Sequence, residues 1–207
     1  MSSAKLRDPP ANPPPRRRLL RGDRHRQLLD VAWRVVREEG TEALTLGRLA
    51  EQAAITKPVV YDHFPTRGAL LLALYQEFDA RQNALMDAAL QASDSTLASK
   101  AMVIASSYVE CVLQQGREIP GVIAALAGSP DLEKLKRDYE LAFMERCRIV
   151  LAPFASGGEI VSAGLRAMLG AAEALSYAAA TGEITPIQAQ EELFETIVAM
   201  VARTARR

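Results

Sequence analysis

The stretch Thr45–Phe64, TLGRLAEQAAITKPVVYDHF, decides how the rest of the chain is read. Behind Thr45, a residue suited to capping a helix N-terminus, Leu46, Leu49, Ala50 and Ala53 recur at helical spacing. A three-residue break, Ala54-Ile55-Thr56, leads to a second short helix expected over Lys57–His63. Thr56 is placed to cap that helix, and Pro58 falls in its first turn, where the missing N–H leaves no bond unmade. Pro65 ends it and Thr66 is placed to cap the next one.

Upstream, Leu28, Leu29, Ala32, Val35 and Val36 make one apolar face, opposite Arg24, Arg34, Arg37 and Glu38, and Gly40 supplies a stop. Two short helices joined by a tight turn and braced by a preceding amphipathic helix are the parts of a helix-turn-helix unit. The second short helix is about 10 Å long at 1.5 Å per residue. That length suits a probe set end-on in a major groove about 12 Å wide better than a core element. Val60 and Phe64, four residues apart, can dock it on its scaffold. Thr56, Lys57 and Tyr61 are left to meet DNA.

The charge supports this division. The chain of 207 residues has zero formal net charge, yet residues 1–70 hold 13 Lys+Arg against 8 Asp+Glu, and the remainder holds 12 against 17. The halves therefore carry +5 and −5, and the N-terminal part is the one fitted to an anion. Residues 1–22 hold five prolines and six basic residues with little that could join a core. They read either as a disordered tail or as a basic arm lying along DNA.

Beyond Thr66 the helical period continues to the end. Leu70, Leu71, Leu74, Phe78, Leu85 and Met86 stripe a long helix to about Gln91, and further helices are expected over about 95–115, 120–127, 130–152 and 159–181. Ser129-Pro130-Asp131 is a strong start signal, and Thr185-Pro186-Ile187-Gln188 has the capping-box pattern that opens the last helix. No β-alternation and no internal repeat is found, so the expected fold is all-α. Hydrophobic residues make up 49% and no run approaches the roughly 20 apolar residues of a membrane span. Cys111 and Cys147 are too few for a disulfide scaffold and point to the cytoplasm.

The segments LLDVAWRVVREEG, TLGRLAEQA, AITKPVVYDHF and PTRGALL together resemble the DNA-binding domain of the TetR family of transcriptional regulators. The resemblance implies a helix-turn-helix domain over residues 23–70 and a helical effector-binding and dimerisation domain over 71–207. It implies Thr45, Thr56, Lys57, Pro58, Tyr61, His63 and Arg67 as DNA contacts, Arg67 standing where the family more often has lysine. Ala54 occupies a turn position where the family often has glycine, so the turn must avoid positive φ or accept strain. A homodimer on a palindromic operator, released by a small effector, is the implied mode of action.

The residues themselves leave the C-terminal part more open. Ala163, Ala167, Gly170, Ala174 and Ala178 make a small-residue stripe that would let two backbones approach. Phe194, Ile197 and Val201 offer a matching apolar band, for a four-helix interface or for packing within one chain. Met102, Tyr108, Cys111, Phe143, Met144, Cys147 and Tyr177 are candidates to line an effector cavity, or are plain core. With no buried-looking charge among them, an apolar or aromatic effector is expected. The two histidines are His25 and His63, and no catalytic triad, metal cluster or phosphate loop can be assembled, so no enzyme and no cofactor is expected. A carrier or adaptor with a vestigial helix-turn-helix is the alternative to a regulator.

Overall fold

The computed structural model of the chain describes residues 20–156 and 159–203. The expected N-terminal tail lies outside the described residues as far as residue 19, and Arg21 and Gly22 already open the first helix. Nine α-helices and two 3-10 turns, with no strand, make up the regular structure among the described residues. They are α1 (Arg21–Glu39), α2 (Leu46–Gln52), α3 (Lys57–His63), α4 (Arg67–Ala92), α5 (Leu97–Glu118), α6 (Pro120–Leu126), α7 (Pro130–Leu151), α8 (Ser162–Thr181) and α9 (Pro186–Arg203). The turns are Thr41–Ala43, between α1 and α2, and Ala152–Phe154, after α7. Among the described residues no helix is long and apolar enough to cross a membrane.

Local chemistry sets most of the boundaries. The hydroxyls of Thr45, Thr66 and Thr96 each accept from the backbone N–H three residues on, capping α2, α4 and α5. The capping box forms at α9: Thr185 N–H donates to Gln188 Oε1 at 2.9 Å, and Gln188 N–H to Thr185 Oγ1 at 3.2 Å. Gly182 closes α8 in the left-handed region at φ 79°, a conformation glycine adopts without strain. Two expected caps behave otherwise. Thr56 and Ser129 stand at the N-caps of α3 and α7 without a side-chain cap bond, and at each a proline occupies the first turn. The helix expected over about 95–115 carries Gly116 inside it and runs on to Glu118.

Packing gathers the helices into two cores. The first unites Leu28 and Ala32 of α1, Leu49 of α2, Val60 of α3, Phe64, and Leu70, Leu71, Leu74 and Phe78 of α4 with Ile119, Val122 and Leu126 around α6 and Leu132 of α7. Full burial of each leucine or phenylalanine contributes about 1.5–3 kcal/mol, so this cluster fixes α3 on its scaffold. The second core joins the far end of α4 to α5, α7, α8 and α9. The residue 70/71 boundary suggested by the resemblance therefore falls inside α4, which belongs to both cores.

Two further contacts brace α4 beside the first core. Trp33 on α1 donates from Nε1 to Glu77 Oε2 on α4 at 2.6 Å. The Arg81 guanidinium lies over the Trp33 ring at 5.9 Å and the Phe78 ring at 5.3 Å, and pairs with Glu118 at the end of α5.

Candidate nucleic-acid interface and central cavity

Helix α3 is divided by face. Val60 is 0% exposed and Phe64 2%, while Thr56, Lys57, Pro58 and Tyr61 are exposed, Tyr61 by 51%. Because no cap bond engages the Thr56 hydroxyl, it stays available beside Lys57 at the tip of the helix. Thr45 is exposed as well, with its oxygen already accepting from Arg48 N–H at 3.0 Å. The Lys57 side chain runs over Gly47 of α2: a Cβ at Gly47 would lie 3.6 Å from Lys57 Cε and 3.9 Å from Nζ. Those distances are ordinary contact, so the Lys57 side chain lies alongside the start of α2. The turn between the two helices accepts strain rather than avoiding it, since Ala54 sits at φ 52°. Ile55 N–H donates to Ala50 O at 3.0 Å across that turn.

Two of the expected contacts are held against neighbouring elements. Arg67 opens α4 but turns inward: Nε donates to Leu44 O at 2.8 Å and an Nη to Thr41 O at 2.7 Å, with Glu42 at 3.7 Å. Its guanidinium straps the 3-10 turn and the start of α2 to α4 instead of reaching outward. The planar fork of arginine can take two carbonyls at once, which a lysine could not do in the same way. His63 is half-buried, with its ring centroid 5.7 Å from that of His25, whose own ring is 5.0 Å from that of Phe64. Burial, then the neighbouring His25 and Arg21, hold His63 below the ordinary imidazole value. Its neutral ring keeps one N–H donor.

Between α4, α5, α7 and α8 lies a cavity of about 330 Å³. Of the residues expected to line it, Tyr108, Cys111 and Phe143 do, with the Tyr108 and Phe143 rings 5.0 Å apart. Met144 and Cys147 are instead packed into the second core, 7% and 0% exposed. Met102 and Tyr177 are on the surface: α5 turns Met102 away, and Tyr177, 69% exposed, stands one turn past Glu173, where the cavity ends.

The wall also carries charge that the expected residues did not include. Asp79, Lys136, Glu140, Arg146 and Glu173 reach the wall alongside Tyr75 and Tyr139. Each stands on a polar stretch of its own helix, and only the packing of four helices brings them to one wall. Arg146 is engaged by Asp87 at 3.3 Å and by the Asn83 carbonyl at 2.5 Å, while Asn83 donates to Asp79 at 2.6 Å. Burial pushes the thiols of both Cys111 and Cys147 up to about 12, so each is a protonated thiol of low reactivity at neutral pH. Both cysteines are free. No His, Cys, Asp or Glu cluster able to hold a metal occurs among the described residues.

The small-residue stripe on α8 is largely on the surface: Ala163, Ala167, Gly170 and Ala174 are exposed and Ala178 half-buried. Part of the expected matching band is not. Ile197 and Val201 are 0% and 1% exposed because α9 turns them into the second core against α5 and α8, and Phe194 is half-buried beside them.

Comparison with known proteins accords with this architecture. The described fold resembles SCO4454, a TetR-family transcriptional regulator from Streptomyces coelicolor, with a TM-score of 0.59 and 19% identity over 88% of this chain and 96% of that one. It also resembles the fatty acid degradation regulator FadR from Bacillus halodurans, with a TM-score of 0.60 and 13% identity over 86% and 96%. At these identities the likeness is one of fold. In sequence, the HTH-type transcriptional activator FasR of Mycolicibacterium smegmatis is 39% identical over 59 residues, 28% of this chain and 27% of that protein. The match thus spans about a quarter of that relative's length. Residues 28–74, from α1 into α4, match the model of bacterial regulatory proteins of the tetR family.

Proposed function

We propose that the chain is a homodimeric transcriptional repressor that binds a palindromic operator and is released by a small molecule held in the central cavity. The observation that carries the reading is the divided helix α3, anchored by buried Val60 and Phe64 and presenting Thr56, Lys57, Pro58 and Tyr61 outward. Lys57 supplies the charge, Tyr61 and Thr56 supply hydroxyl donors, and neutral His63 adds an N–H for a phosphate oxygen. One such short helix reads few base pairs, and a two-fold pair reads two half-sites. The exposed stripe Ala163, Ala167, Gly170 and Ala174, with Tyr177 beside it, is the surface we assign to the second copy. Phe194 serves at its margin. Such a protein works in the cytoplasm, beside the chromosome.

The cavity shares α4 with the helix-turn-helix, and α5 passes directly into α6, which packs on the Thr41–Ala43 turn. An effector with an apolar or aromatic body between Tyr108 and Phe143 would shift the spacing of the two α3 helices if it binds the non-binding spacing more tightly.

Selection of bound sequences from random DNA tests the reading. We expect a palindromic winner, bound with affinity that falls steeply with salt as phosphate counterions are released. Affinity for the winner no better than for random DNA would overturn it. Light scattering should give the mass of two chains at micromolar concentration. A reporter driven through the selected operator should fall when the protein is supplied; a rise would make it an activator.

A further inference from the structure

On the reading that the cavity holds an effector, we propose that the effector is an amphipathic cation: its positive nitrogen pairs with the Asp79 carboxylate beside Tyr75 and Tyr139, and its apolar body lies against Tyr108 and Phe143.

The charges at the wall decide the sign. Arg146 pairs with Asp87 at 3.3 Å, though its charge still acts on Asp79, and Glu140 pairs with Arg166 at 3.7 Å. Asp79 has only the neutral Asn83 amide as a hydrogen-bond donor and no ion pair within 4.0 Å among the described residues. Glu173 is likewise without an ion pair there, which leaves two carboxylates against the single ammonium of Lys136. Asp79 is also central. Its charge is felt by Tyr75, Tyr139 and Cys111 alike, and burial holds its carboxyl above the usual range. A carboxylate deprived of water and without a cation in direct contact gains from a ligand that brings one.

The rings beside it suit the same guest. Tyr75 lies one helical turn before Asp79 on α4, and its ring stacks with that of Tyr139 at 6.3 Å and 11°. Aromatic faces attract a cation through their quadrupole and do nothing comparable for an anion. Further along the cavity the tilted Tyr108–Phe143 pair offers an apolar surface for the rest of the molecule.

Three probes of one shape test this by calorimetry on the full chain: (2-naphthylmethyl)trimethylammonium, neutral 2-naphthylethanol and anionic 2-naphthylacetate. We expect the ammonium to bind wild type about tenfold or more tighter than the alcohol, with the anion weakest. Asp79→Asn should remove that advantage while leaving alcohol binding unchanged, and the retained alcohol binding shows that the cavity is intact. The wild-type ranking alone keeps the proposal falsifiable if the variant does not fold. Tightest binding of the anion, equal binding of all three, or no binding of any at millimolar concentration would overturn it. Release of operator DNA is measured separately. Asp79-dependent ammonium binding without release would sustain the cation site and sink the effector reading, whereas release by the alcohol or the anion with no ammonium binding would do the reverse.

Discussion

Gly121 of α6 sits so close to Thr41 that a Cβ built on it would fall 2.9 Å from the threonine Cβ and closer still to its hydroxyl oxygen. Thr41 in turn gives its carbonyl to Arg67. Helix α6, the turn before α2 and the start of α4 are therefore locked through one residue with no room to spare. Gly121→Ala returns up to about 1 kcal/mol of helix propensity but overpacks the contact at a cost of about 1–3 kcal/mol. We expect a net loss of about 1 kcal/mol in urea unfolding, followed through the fluorescence of the single tryptophan, Trp33. In a double-mutant cycle Thr41→Gly should recover most of that loss. Additive costs would mean that the contact yields freely.

On the proposed function, Lys57 and Arg67 separate a DNA contact from a structural strap. Lys57→Ala should leave the melting temperature within error and reduce the slope of log affinity against log salt by about 1. Arg67→Ala should lower stability by roughly 2 kcal/mol, because two backbone carbonyls lose a charged donor. Well below its melting temperature it should keep the wild-type salt slope. A reduced slope for Arg67→Ala would show that the guanidinium reaches a phosphate after all.

Ala54, at φ 52°, holds a conformation that costs a residue with a Cβ about 1–2 kcal/mol. Ala54→Gly relieves that strain but adds freedom to the unfolded chain, for a net stabilisation of about 0.5–1 kcal/mol. A calorimetric melt reads it directly, and an unchanged or lower melting temperature would refute it.

His63 predicts the direction of the pH response. Its imidazole is held below 6.5 in the folded chain, so below that pH the unfolded chain binds the extra proton more readily. The contribution is whole above about pH 6.5 and is lost as pH falls toward the depressed folded value. Denaturant titrations between about pH 8 and pH 5 should show stability falling on the acid side, less so for His63→Gln. Equal slopes for the two proteins would assign the effect elsewhere.

What the sequence shows about this fold is mostly local. Lys57–His63 is legible to the residue, because Pro58 and Pro65 bracket it and Val60 and Phe64 mark its buried side. The capping box at Thr185 and the stop at Gly182 are equally plain. Arg67 is legible as a charge beside the residues we assign to DNA but not as a strap. Its partners are the carbonyls of Thr41 and Leu44, and backbone acceptors carry no sequence signal. Asp79 is hidden for another reason: one carboxylate on a long helix looks solvated until Tyr139 and Cys111 arrive from α7 and α5. Ile197 and Val201 show the limit of an apolar band, whose spacing marks a buried face without saying whether its own chain or a copy covers it.

The first core has a consequence for engineers who would exchange operator specificity between relatives. Ile119, Val122 and Leu126 complete the packing around Leu28, Leu49 and Leu70 although about fifty residues of chain separate them from α4's start. A chimera cut after α3, or even midway along α4, would strand a foreign reading head on an α6 shaped for another. The transplantable cassette is discontinuous: α1 through the first half of α4, with α6 travelling alongside as its second piece.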